Sequence, residues 1–263
     1  MLTGNLAAMV RLALHGPKSL DERLTRAYQV IDPFDAGDPA ISPISSYYEM
    51  LPEIHLSEIV RNFVSINLGE TYRFIDGAMP WVDLIPLVNI VHDRQPKCML
   101  EIGTYFGHTT RVLAQNFPDM KIHTVDLPET FDESQDDSNI PKDDFHLIKK
   151  RGVGEAFRND PSITNITQHF GDTATWDFAP AADATLFFID GSHTYEYVRS
   201  DTEKCLALCN DQGKAQGKNR RTTLLWHDCD RGHAGVVRYL AELVQAQFPI
   251  KRIGWTHLAI LDI

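Results

Sequence analysis

The chain has little of what several protein classes need. Cysteine is scarce, four in 263 residues, so no disulfide framework holds the fold. No apolar stretch approaches the ~20 uninterrupted residues that a membrane span requires. Bases are in the minority, with 25 Lys and Arg against 36 Asp and Glu, a net charge of −11. That balance argues against a general affinity for nucleic-acid backbone and leaves small polar or anionic ligands open. Internal repeats and low-complexity tracts are missing as well. The expectation from these absences is a cytoplasmic protein with neither nucleic acid nor membrane as partner. Its length suffices for one sizeable core with an appended segment.

What is present is a regular alternation of strand-like and helix-like stretches from Lys97 onward. It begins with Cys98–Gly107, an apolar run that ends in Glu101 and is followed by Gly103 and Gly107. The run Cys98–Ile102 reads as a strand buried on both faces, and His108–Ala114 takes up helical spacing. Glycines between strand and helix allow a tight turn and close approach of a ligand to the main chain. A dinucleotide fingerprint would read Gly-x-Gly-x-x-Gly. This chain reads Glu-x-Gly-x-x-x-Gly.

Further strands are expected at Lys121–Asp126, Ile163–Phe170, Thr185–Asp190 and Thr222–Trp226, with helices between them. A terminal hairpin is expected from Ile250–Ile253 and His257–Leu261. Successive strands end in polar groups: Glu101 with Gly103, Asp126, Asp172 with Thr173, Asp190, and His227-Asp228. In a parallel sheet these lie along one edge, where open α/β folds bind ligands. Strand ends need no acid for stability, so such a run points to a site.

Ahead of the alternation, Leu2, Leu6, Met9 and Ala13 share a helical face, which reads as a packing helix and not a signal peptide. A proline-rich stretch follows, and helical spacing resumes over Leu56–Leu68 and again from Pro80. Residues 1–80 are expected to form a helical lid or an oligomerisation arm, and residues 81–263 the main domain. The charged insertion 127–160 reads as either a substrate-covering segment or a solvated loop.

The Glu-x-Gly-x-x-x-Gly turn resembles motif I of the class I S-adenosylmethionine-dependent methyltransferases, and the later strand ends follow that family's order. The resemblance covers roughly Trp81 to Ile263. It implies a doubly wound, Rossmann-like, mostly parallel seven-stranded sheet with a reversed last strand. It implies that Glu101 and the turn Gly103, Thr104 to Gly107 hold the methionine part of S-adenosylmethionine. Asp126 would then hold the ribose, and Asp172 with Thr173 would meet the adenine.

Phe188–Tyr195 together with Trp226-His227-Asp228 resembles the group that includes the macrolide-sugar O-methyltransferases and the related cephalosporin-biosynthesis enzyme. By that resemblance Asp190 and Asp228 are ligands of a divalent metal and His193 is the general base. The relatives carry an acid where this chain has His227. Magnesium prefers oxygen ligands, so His227 as a third ligand admits a softer ion. A metal-free site with His227 as a second base also stays open.

The expected activity is methyl transfer to a hydroxyl of a small molecule, such as a sugar or natural product, with a possible homo-oligomer through the N-terminal segment. Two other classes remain: a metal-dependent hydrolase or oxygenase using Asp190, His193 and His227, and a non-catalytic cofactor-binding module. Cys205 and Cys209, four apart, read as an apolar helix face ahead of a zinc site.

Overall fold

A computed structural model describes residues 42–69, 77–130, 152–216 and 221–263. The expected N-terminal helix, most of the proline-rich stretch and the centre of the 127–160 insertion lie outside these residues.

The alternation from Lys97 folds as read. Strands β2 (Cys98–Ile102), β3 (Lys121–Asp126), β4 (Ile166–Phe170), β5 (Leu186–Ile189) and β6 (Thr223–Trp226) are parallel and hydrogen-bonded in the order β6-β5-β2-β3-β4. The terminal hairpin adds β7 (Lys251–Ile253) and β8 (Ala259–Asp262), and β8 runs antiparallel between β6 and β7. An eighth strand, β1 (Glu53–Ile54), pairs in parallel with β7 and was not expected. Two residues are too short to show a period in the sequence.

Side-chain alternation along each strand feeds two cores. Leu100, Phe187, Ile189, Leu224, Trp226 and Leu261 point to one face, where helices α6 (Tyr195–Gln216) and α7 (Ala234–Gln245) pack. Met99, Leu186, Phe188, Leu225 and Ile260 point to the other, against α3 (Trp81–Arg94) and α4 (His108–Asn116). Burying each such side chain contributes about 1.5–3 kcal/mol. Among the described residues no helix is long and apolar enough to cross a membrane.

Ahead of the sheet lie α1 (Ser42–Glu49) and α2 (Leu56–Ile59). The helix expected over Leu56–Leu68 stops after one turn. Beyond Val60, whose amide still bonds to the Leu56 carbonyl, backbone amides bond to side chains instead of helical carbonyls: Arg61 N to Asp93, Val64 N to Asn89 and Asn67 N to Asn116. Val60, Ile66 and Leu68 join the core on the α3 side while Phe63 is exposed, so a helical period in sequence became a strap without helix. Helix α6 continues to Gln216 in spite of Gly213. Gly213 alone costs a helix only about 1 kcal/mol.

A short helix, α5 (Glu155–Arg158), ends the 127–160 insertion and braces the turn after β2. Gly154 N bonds to Tyr105 O, Ala156 N to Phe106 O, and Arg111 reaches both Ala156 O and Asp160.

Candidate functional site

The carboxyl ends of the parallel strands border a cavity of about 540 Å³. Its lining includes Gly103, Thr104, Gly107, Asp126, Asp172, Thr173, Asp190, His193, His227 and Asp228, so the expected strand-end residues, Glu101 excepted, meet in one space.

The wall at β2 depends on glycine. Gly103 has φ +95°, and a Cβ there would lie 1.9 Å from the Asp190 carbonyl oxygen. The strand therefore turns beneath the end of β5 only if residue 103 has no side chain. Asp126 holds this turn in place: its Oδ2 accepts from Thr104 N at 3.0 Å and Tyr105 N at 2.7 Å, and its Oδ1 accepts from Leu127 N. Asp172 accepts from Ala174 N, and Lys204 donates to the carbonyls of Thr173 and Ala174.

Glu101 does not reach the cavity. Its carboxyl is buried beneath the turn, where Thr110 Oγ1 and Thr124 Oγ1 both donate to Oε2, at 2.5 and 2.6 Å. Burial outweighs these two hydrogen bonds and pushes its pKa up to about 8. The motif acid thus joins β2, β3 and α4 from below.

The opposite wall is a cluster of aspartates and histidines. His227, at the end of β6, is almost fully buried. Its Nδ1 lies 3.0 Å from Asp190 Oδ1 and 3.1 Å from Asp228 Oδ2, and its Nε2 lies 3.1 Å from Asp83 Oδ2. Burial alone would lower the His227 pKa, but the Asp228 and Asp190 carboxylates hold it well above the usual histidine value. Asp228 is raised by burial and lowered more strongly by His227 and His193, and it ends well below the carboxylate range. Asp190 ends raised, because burial exceeds the help it receives from His227. Asp228 takes a left-handed backbone, φ 54°, which aspartate tolerates better than most residues.

His193 sits in the turn two residues ahead of α6, not inside a helix, with Nε2 2.8 Å from Asp228 Oδ2. Its ring lies 4.5 Å from that of His233, the N-cap of α7. Gly235 permits this contact: a Cβ there would come within 2.2 Å of the His193 carbonyl oxygen.

Two members of the cluster carry no signal in the linear sequence. Asp83, in the first turn of α3, is fully buried and accepts from His257 N at 2.7 Å. Its Oδ2 also pairs with His257 Nδ1 at 2.8 Å and with His227 Nε2. Burial would raise Asp83, yet the two histidines bring it down to about 2; burial would lower His257, yet Asp83 takes it up to about 9. In the sequence Asp83 is simply the fourth residue of the stretch that starts a helix at Pro80.

One ligand atom each from Asp190, His227 and Asp228 lie within 4.8 Å of one another. These residues fit a divalent ion. A metal-bound imidazole ordinarily has its second nitrogen held by a carboxylate, and buried Asp83 occupies that position behind His227. Cys205 is buried in the core and belongs to none of the possible metal groups among the described residues.

Residues 100–229 match a protein-family model described as a methyltransferase domain. No curated protein matches the chain. Among solved structures, the chain is similar to the S-adenosylhomocysteine-bound methyltransferase PaMTH1 of Podospora anserina. The two are 13% identical over 94% of this chain and 97% of the other, with a TM-score of 0.47. It is also similar to the O-methyltransferase TomG of Streptomyces achromogenes, involved in tomaymycin synthesis. There the identity is 15% over 93% and 99% of the two chains, with a TM-score of 0.40. Likenesses this loose carry neither a substrate nor a residue's role to this chain.

Proposed function

We propose, from the premise that the chain carries a class I S-adenosylmethionine-dependent methyltransferase domain, that it methylates a hydroxyl of a small molecule with the help of a divalent ion. The observation that supports this reading is the single cavity with two unlike walls. One wall is a glycine turn with Asp126 and Asp172, suited to a nucleoside with an amino-acid tail. The other is a cluster of aspartates and histidines suited to activating a hydroxyl.

In this reading the Gly103–Gly107 turn, Asp126, Asp172 and Thr173 bind the cofactor, and Glu101 supports the turn from beneath. The bound cofactor supplies an activated methyl on a sulfonium. What the protein must add is alignment and removal of the acceptor's proton. Asp190, His227 and Asp228 would hold the ion, and an imidazole among the ligands favours one softer than magnesium. When bound, such an ion lowers the pKa of a contacting hydroxyl. Asp228 orients His193 through Nε2, so the acceptor's proton would pass to Nδ1. Asp83 holds Nε2 of His227, so His227 would serve as a ligand and His193 as the base.

Residues 77–80 line the cavity, which supports a covering role for the end of the N-terminal segment. We assign residues 1–80 that role, with self-association as its alternative, and residues 81–263 the methyltransferase domain.

The test has two parts. S-adenosylhomocysteine should bind in calorimetry with one site per chain. Methyl transfer to a hydroxylated acceptor panel should fall on exhaustive chelation and return with Mn²⁺ or Co²⁺. Undiminished turnover after chelation would remove the ion from the mechanism, and absence of cofactor binding would sink the whole reading.

A further inference from the structure

On the sheet face that packs against α6 and α7, far along the strands from their carboxyl ends, three potential metal ligands meet from separate parts of the chain. Cys98 begins β2, His123 lies in β3, and Asp183 follows the single turn Ala179–Ala181 that leads into β5. One ligand atom from each lies within 4.8 Å of the other two, and Cys98 Sγ is 3.3 Å from Asp183 Oδ1.

His123 makes the case specific. It is 3% exposed, its Nδ1 lies 2.8 Å from His169 Nε2, and its own Nε2 is buried without a hydrogen-bond partner. Either tautomer leaves that nitrogen unsatisfied, as an orphan acceptor or an orphan donor. An unmet polar atom of this kind costs about 1–3 kcal/mol and calls for a physical reason. The contact at Nδ1 is the arrangement that orients a metal-bound histidine, with the second nitrogen held by a neighbour. His169 is in turn packed against Trp176, at a ring separation of 5.1 Å.

We propose that Cys98, His123 and Asp183 form a zinc site, with His169 as the residue that orients His123. A thiolate, an imidazole and a carboxylate are the donor types zinc takes, and a water would complete a tetrahedron. Asp183 is exposed and provides the way in. Burial and the Lys121 ammonium lower the pKa of both His123 and His169. Binding exchanges the Cys98 thiol proton for the ion and releases that proton to solvent. No oxidation is involved. The ion would join the link before β5 to β2 and β3, independently of the methyl-transfer cavity.

The full chain, kept reduced and stripped of metal, is titrated with Co²⁺. A thiolate-to-cobalt charge-transfer band should appear with one equivalent and vanish when Zn²⁺ is added. Cys98→Ser should lose the band, and Cys229→Ser should keep it, since the Asp190, His227 and Asp228 group has no sulfur of its own but lies beside Cys229. Asp183→Asn, at an exposed position that should fold normally, should weaken binding at least about tenfold. His169→Ala should weaken it about 10–100-fold while keeping the band. Zinc at a hundredfold excess over its Kd should raise the parent's Tm by about 5 °C. Absence of the band in the parent, or its persistence in Cys98→Ser, overturns the site.

Discussion

At the scale of single residues, chemistry here is set by what surrounds each charge. Glu101 is the clearest instance. Its pKa of about 8 against an ordinary 4.5 means that the folded chain keeps a proton which the unfolded chain releases. Stability should therefore be greatest below pH 4.5 as far as this group is concerned. It should decline as pH rises toward 8, with a slope approaching about 1.4 kcal/mol per pH unit. Glu101→Gln keeps an acceptor for Thr110 and Thr124 but cannot ionise. Urea midpoints of the variant should gain on the parent between pH 5 and 8, and parallel curves would show that Glu101 is ionised after all.

His193 offers a kinetic counterpart. If it takes the acceptor's proton, His193→Ala should slow single-turnover methyl transfer about 10²–10⁴-fold. Affinity for S-adenosylhomocysteine should change little. An unaltered single-turnover rate would leave His193 as a partner of Asp228 and nothing more.

At the scale of elements, side chains and backbone groups join pieces that share no ladder. Arg94, at the end of α3, has a side chain only 3% exposed. Its Nε and Nη2 donate to Asp262 of β8 at 3.1 and 2.9 Å, and its Nη1 donates to the Ile59 carbonyl at 2.9 Å. It thus ties the end of α2 and the reversed strand to one helix. Arg94→Ala leaves Asp262 with Arg221 and Thr223, so the cost should be about 1.5–3 kcal/mol. That is less than the 3–5 kcal/mol typical of a buried charge left alone. Chemical denaturation measures it, and a loss under 0.5 kcal/mol would mean that the Arg94 contacts add nothing to the packing and backbone bonds that already hold these elements. The strap after α2 shows why periodicity misled over Leu56–Leu68. Apolar spacing reports which residues face a core, not which carbonyl an amide will find.

At the scale of the whole molecule, the cavity lies across the ends of β2 to β6, and a ligand spanning it joins strands that are far apart in sequence. S-adenosylhomocysteine at a hundredfold excess over its Kd should therefore stabilise the chain by about 2.7 kcal/mol. A thermal shift that follows ligand concentration checks this, and a flat response across the same range would contradict the placement of the cofactor in this cavity.

The alternation of strands and helices, the turn at Gly103 and Gly107, and polar residues at strand ends were legible in the sequence because each is a local property. Period two, period 3.6 and glycine's tolerance of positive φ act over a few residues at a time. From these the strands, the terminal hairpin and the expected residues along one edge could be read, whereas the order of the sheet and its reversed last strand were what the family resemblance implied. Tertiary structure alone decided what those residues touch. Asp83 lies 144 positions from His227 and 174 from His257, yet its carboxylate bonds both. Glu101 faces downward to Thr110 and Thr124, and His123 meets Cys98 and Asp183 only because β2, β3 and the link before β5 lie side by side. A contact between distant residues leaves no period in a single sequence. It exists only once burial has aligned the strands that carry it.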